Sequence, residues 1–148
     1  MATWMKDHLK YDSIAWEDVN EGDEIPSTVR PIDATLVVMG AVAASRDVYP
    51  VHHDVEAAKA AGAPDIFLNI LTTNGLMAAF VTNWCGPDWD LRSISLKLLI
   101  PAFPGQKLTT TGTVTRKYDD PVPSIEVEFT AETDFGPHCK GSATLTRA

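Results

Sequence analysis

The stretch Ile70 to Ile100, ILTTNGLMAAFVTNWCGPDWDLRSISLKLLI, changes its hydrophobic period halfway along. In the first half Ile70, Leu71, Met77, Phe80, Val81 and Trp84 recur at spacings of three and four. This spacing predicts a helix over about residues 70–84, ended by Cys85-Gly86-Pro87-Asp88. In the second half Ile94, Leu96, Leu98 and Ile100 alternate with Ser93, Ser95 and Lys97. A period of two is that of a strand with one buried and one wet face. Asn74-Gly75 weakens the helix, since an interior glycine costs about 1 kcal/mol. A small residue there could instead let the helix approach a sheet closely.

Working outward, the alternation continues downstream. Pro101 to Gly105 reads as a turn, Lys107 to Arg116 as a threonine-rich strand and Lys117 to Ser124 as a loop. Ile125, Val127, Phe129 and Ala131 alternate with Glu126, Glu128 and Thr130, and Cys139 to Thr146 repeats the pattern. Upstream, Glu24 to Ile32 reads as a first strand, and Asp33 as the N-cap of a helix over Ala34 to Ala44. Asp54 caps a short helix, Val55 to Ala61, stopped by Gly62. Residues 1–24 read as an N-terminal arm anchored by Trp4 and Trp16, and 25–148 as the domain. The order is strand, helices, then about four strands. It predicts an α+β fold in which a curved antiparallel sheet wraps one buried helix. Such a sheet has open edges, and pairing two sheets edge to edge would hide them. A dimer or pseudo-dimer is therefore expected.

Composition narrows the function classes. The chain has 148 residues, enough for one domain with a sizeable core. Its formal charge is −8, a surface that repels phosphate backbones and argues against nucleic-acid binding. Cys85 and Cys139 are the only cysteines and lack CxxC spacing, which fits idle thiols in a reducing cytoplasm. Met1 to Tyr11 lacks the apolar core of a signal peptide. The longest apolar run, Ala34 to Ala44, is far short of the roughly 20 residues that span a bilayer.

The chemistry is concentrated in Arg46-Asp47-Val48-Tyr49-Pro50-Val51-His52-His53-Asp54. An acid and an imidazole stand five residues apart across a proline turn, just upstream of the long helix's start. Asp47 and His52 could share one water and divide general acid and base work during addition to an activated double bond. Backbone N–H groups at Asn69, Ile70 and Leu71 could meet an oxyanion at the helix N-terminus. Blander readings also exist: Asp47 as a turn aspartate, His52 as a buried hydrogen-bonded histidine, and His53 and Asp54 as the capping end of the loop. A divalent metal held by Asp47, His52, His53 and Asp54 is disfavoured, because adjacent histidines in an extended segment seldom point at one ion. Asp119 and Asp120 read as a solvated pair, Glu126 and Glu128 as a wet strand face. Arg92 and Lys97 are weak candidates for a phosphate contact.

These residues resemble a family. Asp47, Pro50, Val51 and His52 match the MaoC-like, R-specific enoyl-CoA hydratase signature Gly-Asp-x-Asn-Pro-(aliphatic)-His. Leu91 to Thr109 is similar to that family's strand, Pro-x-x-x-Gly-Asp turn and next strand. The segments RDVYPVHHD, DIFLNILTTNGL, VTNWCGP and SISL resemble the small MaoC-like subunit of heteromeric steroid side-chain enoyl-CoA hydratases. The resemblance implies a hot-dog fold and catalysis by Asp47 and His52. It also implies a site opening toward a second MaoC-like chain, in a heterodimer or heterotetramer, and no cofactor beyond the coenzyme A thioester carrying the substrate. The chain departs from the broad signature at Arg46 (Gly in the family), Tyr49 (Asn) and Asn69-Ile70 (His-Gly). These departures follow the steroid subgroup and favour a bulky substrate. The expected activity is water addition to a 2-enoyl-CoA. The rivals are a non-catalytic subunit shaping a partner's pocket and a hot-dog thioesterase.

Overall fold

The computed structural model describes residues 12–147. The readings of Met1 to Tyr11, including Trp4 and His8, lie outside them. The described elements are β1 (Glu24–Pro31), α1 (Ala34–Val38), a π-helical stretch (Met39–Ala44), α2 (Val55–Ala60), α3 (Ile70–Cys85), β2 (Trp89–Leu98), β3 (Lys107–Tyr118), β4 (Ser124–Thr133) and β5 (Gly136–Arg147). One sheet runs in the order β1-β3-β4-β5-β2, with every neighbouring pair antiparallel. This is the hot-dog arrangement, a five-stranded sheet around α3.

The periodicities explain which faces meet. On α3 the buried residues are Thr73, Met77, Phe80, Val81 and Cys85, a stripe repeating every three to four residues. They join one core with Val114, Val127, Phe129 and Leu145 of the sheet. Ile70 and Leu71 share the apolar pattern but are about half exposed, Leu71 lying on the wall of a cleft toward the α1–π stretch. Gly75 does not face the sheet as a close-approach residue would: nothing lies within 4 Å of where its Cβ would be. The strand glycine Gly112 fills that role, for a Cβ there would stand 3.0 Å from the Phe80 ring.

The strands run longer than the alternation suggested. Lys117 and Tyr118 complete β3 and Ser124 opens β4, so only residues 119–123 form the connection. Asp119 accepts a hydrogen bond from Trp16 Nε1 at 3.1 Å, so the indole holds one member of the expected solvated pair. The described end of the N-terminal segment packs on the domain. Val19 is buried, and Lys117 Nζ donates to the carbonyls of Trp16 and Val19 while lying over the Trp16 ring. At the other end β2 stops at Leu98, and the N–H groups of Leu99 and Ile100 still reach the β5 carbonyls of His138 and Pro137, at 2.8 and 3.1 Å. The sheet edges are β1 and β2. Prolines in β1 (Pro26 and Pro31) blunt the first, whereas β2 carries none.

Gly141 of β5 lies opposite Leu96 of edge strand β2, and a Cβ at 141 would stand 2.8 Å from Leu96 Cα. Neither backbone can yield without breaking the ladder. Gly141→Ala is expected to cost about 1–3 kcal/mol, the usual penalty of forced overpacking, measurable by urea unfolding. Unchanged stability would mean that β2 does not dock in this register.

Candidate functional site

Asp33 accepts from Leu36 N–H at 2.7 Å and starts α1, as a capping aspartate should. The expected single helix over Ala34 to Ala44 is not uniform. It widens into a π-helix from Met39, and Ser45 N–H bonds back five residues to Gly40 O at 3.1 Å. The Ser45 hydroxyl reaches the same carbonyl at 2.9 Å and Ala41 O at 2.8 Å, and Asp47 N–H takes Ala41 O at 2.9 Å. A short hydroxyl competing for helix carbonyls widens the turn, and such bulges are frequent at functional sites. The widened turn delivers Asp47 into a loop beside the start of α3.

Arg46 makes the corner, with φ +56°. This left-handed conformation costs a side-chain-bearing residue about 1–2 kcal/mol. It is the position where the family signature places glycine. A short 3-10 turn, Pro50–His52, then turns the chain so that His52 points inward and His53 outward.

The structure brings Asp47 and His52 together. His52 Nε2 lies 3.6 Å from Asp47 Oδ2, too far for a direct hydrogen bond and right for two groups that share a water. His52 is 8% exposed. Its Nδ1 lies 2.8 Å from the carbonyl of Phe67, which can only accept, so Nδ1 carries the proton. In the uncharged ring the Nε2 lone pair therefore faces Asp47. Phe67 also packs edge-on against the imidazole, with centroids 4.9 Å apart, and fixes its plane.

Asn69 sits at the N-cap of α3 and is 2% exposed. Its Oδ1 accepts from Thr72 N–H at 2.8 Å, and its Nδ2 donates to Ser45 Oγ and Asp47 Oδ2, each at 2.9 Å. The Asp47 pKa lies below its ordinary value. The Asn69 hydrogen bond is the largest cause, followed by the Tyr49 N–H to Oδ1; burial opposes them and the charges of His52 and His53 assist. The carboxylate's contribution to stability is present above the unfolded aspartate pKa of about 3.9. It is lost as pH falls through the lower folded value.

Ile70 and Leu71 are the first two residues of α3, and their N–H groups have no carbonyl acceptor among the described residues. One hydrogen bond from Asp47, this helix start offers donors and a positive dipole end. A cleft of about 720 Å³ runs from Ser45 between the α1–π stretch and α3, walled by Leu36, Met39, Ala43, Leu71 and Leu76. Gly75 opens onto it rather than onto the sheet. Beside the pair, Val48 and Tyr49 are 71% and 61% exposed.

Other candidates lie outside this arrangement. Arg92 is committed to Asp90 and Thr146, and Lys97 stands on β2 opposite Lys140. Among the described residues no group of three His, Cys, Asp or Glu side chains could hold a metal. Sequence reasoning missed Ser45, the Phe67 carbonyl, the Asn69 side chain and His138. His138 is buried, and its two nitrogens lie 2.7 Å from Ile100 O and 2.9 Å from Thr73 Oγ1, bracing the first turn of α3; burial lowers its pKa. Only Asn69 left a local trace, as a good capping residue ahead of an apolar run.

Three comparisons bear on this geometry. The family model described as MaoC like domain matches residues 21–134. The 3-oxo-4,17-pregnadiene-20-carboxyl-CoA hydratase beta subunit of Mycobacterium tuberculosis is 38% identical over 114 residues, covering 77% of this chain and 85% of that protein. Among solved structures, a chain of the ChsH1-ChsH2 complex from Mycobacterium tuberculosis superposes with TM-score 0.82 at 35% identity, covering 87% of this chain and 98% of that one. The R-hydratase PhaJ1 from Pseudomonas aeruginosa shares the fold, with TM-score 0.77 at 21% identity over 91% of this chain and 86% of that one.

Arg46→Gly is expected to raise stability by about 0.5–1 kcal/mol: relief of left-handed strain exceeds the added entropy of an unfolded glycine. Thermal unfolding followed by circular dichroism checks this; a fall in melting temperature would show that the Arg46 side chain stabilises the loop. Burial pushes the Cys85 and Cys139 thiols up to about 11. Neither should react with a thiol-specific dye in native protein at neutral pH, and both should react in denaturant.

Proposed function

The chain belongs to the MaoC-like domain family, and from that premise we propose that it is a subunit of a hydro-lyase adding water reversibly across the double bond of a 2-enoyl-CoA. The observation that carries this reading is the 3.6 Å gap between Asp47 Oδ2 and His52 Nε2 beside the start of α3. Both atoms are acceptors. A water between them donates both its hydrogens and turns its oxygen lone pairs toward a substrate entering along α3. As that oxygen bonds to the β-carbon, one of the pair takes a water proton and the π electrons move onto the thioester, giving an enolate. The Ile70 and Leu71 N–H groups, at the positive end of α3, supply donors for the charge on its oxygen. The α-carbon then takes a proton from the pair, and the net change is one water added. No cofactor is required beyond the coenzyme A that carries the acyl group.

The apolar cleft supports a bulky substrate. Its apolar walls, Leu36, Met39, Ala43, Leu71 and Leu76, offer a surface for a fused-ring acyl group, and it ends at Ser45, two residues from Asp47. The relative named above is called a hydratase of a pregnadiene carboxyl-CoA, so a steroid side-chain intermediate is the substrate class proposed. Val48, Tyr49, Ile70 and Leu71, neighbours in sequence of Asp47 and Asn69, are exposed, and a second MaoC-like chain seated there would close the site to bulk solvent around the shared water. A heteromer agrees with the relative's name as a beta subunit and with the two-chain complex of the similar structure. No helix among the described residues is long and apolar enough to cross a membrane. A cytoplasmic location is the one proposed, on two free cysteines without CxxC spacing.

The test is co-expression with a MaoC-like partner chain and assay on 3-oxo-4,17-pregnadiene-20-carboxyl-CoA and on straight-chain 2-enoyl-CoA esters, scoring the mass gain of one water. Asp47→Asn and His52→Ala should each lower turnover by roughly 10²–10⁴-fold, the range for loss of a general acid or base. Full activity in both variants overturns the reading. Release of free thiol without a hydrated product would instead identify a thioesterase.

A further inference from the structure

We propose that Asn69 is a positioning residue for the hydration chemistry, its side-chain amide holding the Asp47 carboxylate aimed at the water shared with His52. The proposal rests on the reading of Asp47 and His52 given above and deepens it. From the sequence, only the main chain of Asn69 has a role. The side chain carries more of the load.

Its hydrogen-bond inventory is complete. A carboxamide offers two N–H donors and one acceptor oxygen. Here the two donors go to Asp47 Oδ2 and Ser45 Oγ, and the oxygen takes Thr72 N–H. The neighbours also fix which end is nitrogen, since Thr72 N–H can only donate and the carboxylate can only accept. Three segments are thereby joined at one buried side chain: the π-helical exit through Ser45, the acid through Asp47 and the first turn of α3. Within its own loop Asp47 receives only the Tyr49 backbone N–H, on the other oxygen, at 3.1 Å. Nothing else described grips Oδ2, the oxygen nearer His52. Without the amide, the carboxylate could turn about its Cβ–Cγ bond, and the gap to Nε2 would no longer be set.

The electrostatic consequence follows from the same contact. A donor to the ionised form favours ionisation, so its removal raises the Asp47 pKa. The titratable groups acting on Asp47 are His52 and His53, both on its own loop. Arg46 is adjacent and exposed. The facing first turn of α3 (Ile70, Leu71, Thr72) and the π-helical stretch (Met39–Ala44) present none.

Two substitutions separate positioning from helix capping, because serine and aspartate cap about as well as asparagine. In the purified heteromeric complex, Asn69→Ser keeps an acceptor for Thr72 and replaces the amide N–H on Asp47 with a single hydroxyl on a side chain one atom shorter. Asn69→Asp keeps the cap and sets a second carboxylate against the first. Asn69→Ser should melt somewhat below the wild type, and Asn69→Asp lower still at neutral pH, because it buries a second carboxylate beside the first; both should remain folded at the assay temperature. With Asn69→Ser, kcat should fall on the order of 10²-fold, the loss expected for about 1 Å of misplacement, with KM nearly unchanged. The acid limb of the kcat/KM profile should move to higher pH, and further still for Asn69→Asp. Wild-type kcat and an unmoved acid limb in Asn69→Ser would overturn the proposal, as would a kcat loss with the limb unmoved. Asp47→Asn tells the two failures apart. If it is inactive while Asn69→Ser behaves as wild type, only the positioning role falls. If Asp47→Asn is fully active, the hydratase reading falls with it.

Discussion

One helix, buried along one side and open at its start, sets most of what this chain can do. Thr73, Met77, Phe80, Val81 and Cys85 commit α3 to the sheet. The helix cannot shift along its axis without uncovering Phe80 from Gly112 or Met77 from the core. Its N-terminus is therefore held at a fixed point at the rim of the sheet. Helix starts leave several N–H groups without an intrahelical partner. Asn69 takes one, Ile70 and Leu71 keep theirs free, and a loop carrying an acid and an imidazole closes over the end. Packing thus dictates the site before any catalytic side chain is considered.

The loop that brings the acid is shaped by a second constraint. The chain leaves α1 through a π-helical stretch whose carbonyls are taken by the Ser45 hydroxyl and the Asp47 amide. It then turns at Arg46 through a left-handed corner that costs energy. An arginine stands there although glycine would adopt this conformation at lower cost. The exposed apolar residues around the pair extend this economy beyond the single chain. Val48, Tyr49, Ile70 and Leu71 are poor choices for a surface facing water and good ones for a surface facing another chain.

Relatedness and geometry contribute separate parts. The match over residues 21–134 and the 35–38% identities establish the family. Neither states what a given side chain does here. The proposed roles rest on distances: the 3.6 Å between acid and imidazole, the 2.8 Å that fixes the imidazole tautomer and the 2.9 Å that anchors the acid. Substitutions at Arg46, Tyr49 and Asn69-Ile70 leave that geometry intact. Backbone groups meet the remaining needs, and Asn69 adds a side-chain contact to them.

The sequence by itself determined the elements and their faces, because the periods of two and of three to four are written locally in Ile94 to Leu98 and in Met77 to Trp84. It also supplied the caps at Asp33 and Asp54, whose side chains reach only their own next turn. The acid–imidazole pair was legible for the same reason, since five residues across a proline turn is a short-range relation. Tertiary structure decided everything that joins distant segments. Asn69 lies 22 residues from Asp47, His138 lies 65 from Thr73, and the carbonyl that sets the His52 tautomer lies 15 residues downstream. Periodicity also grouped Ile70 and Leu71 with the buried residues, and only the tertiary structure left them about half exposed. A pattern records which side of an element is apolar; where the opposing layer ends is set by how the five strands pair and curl.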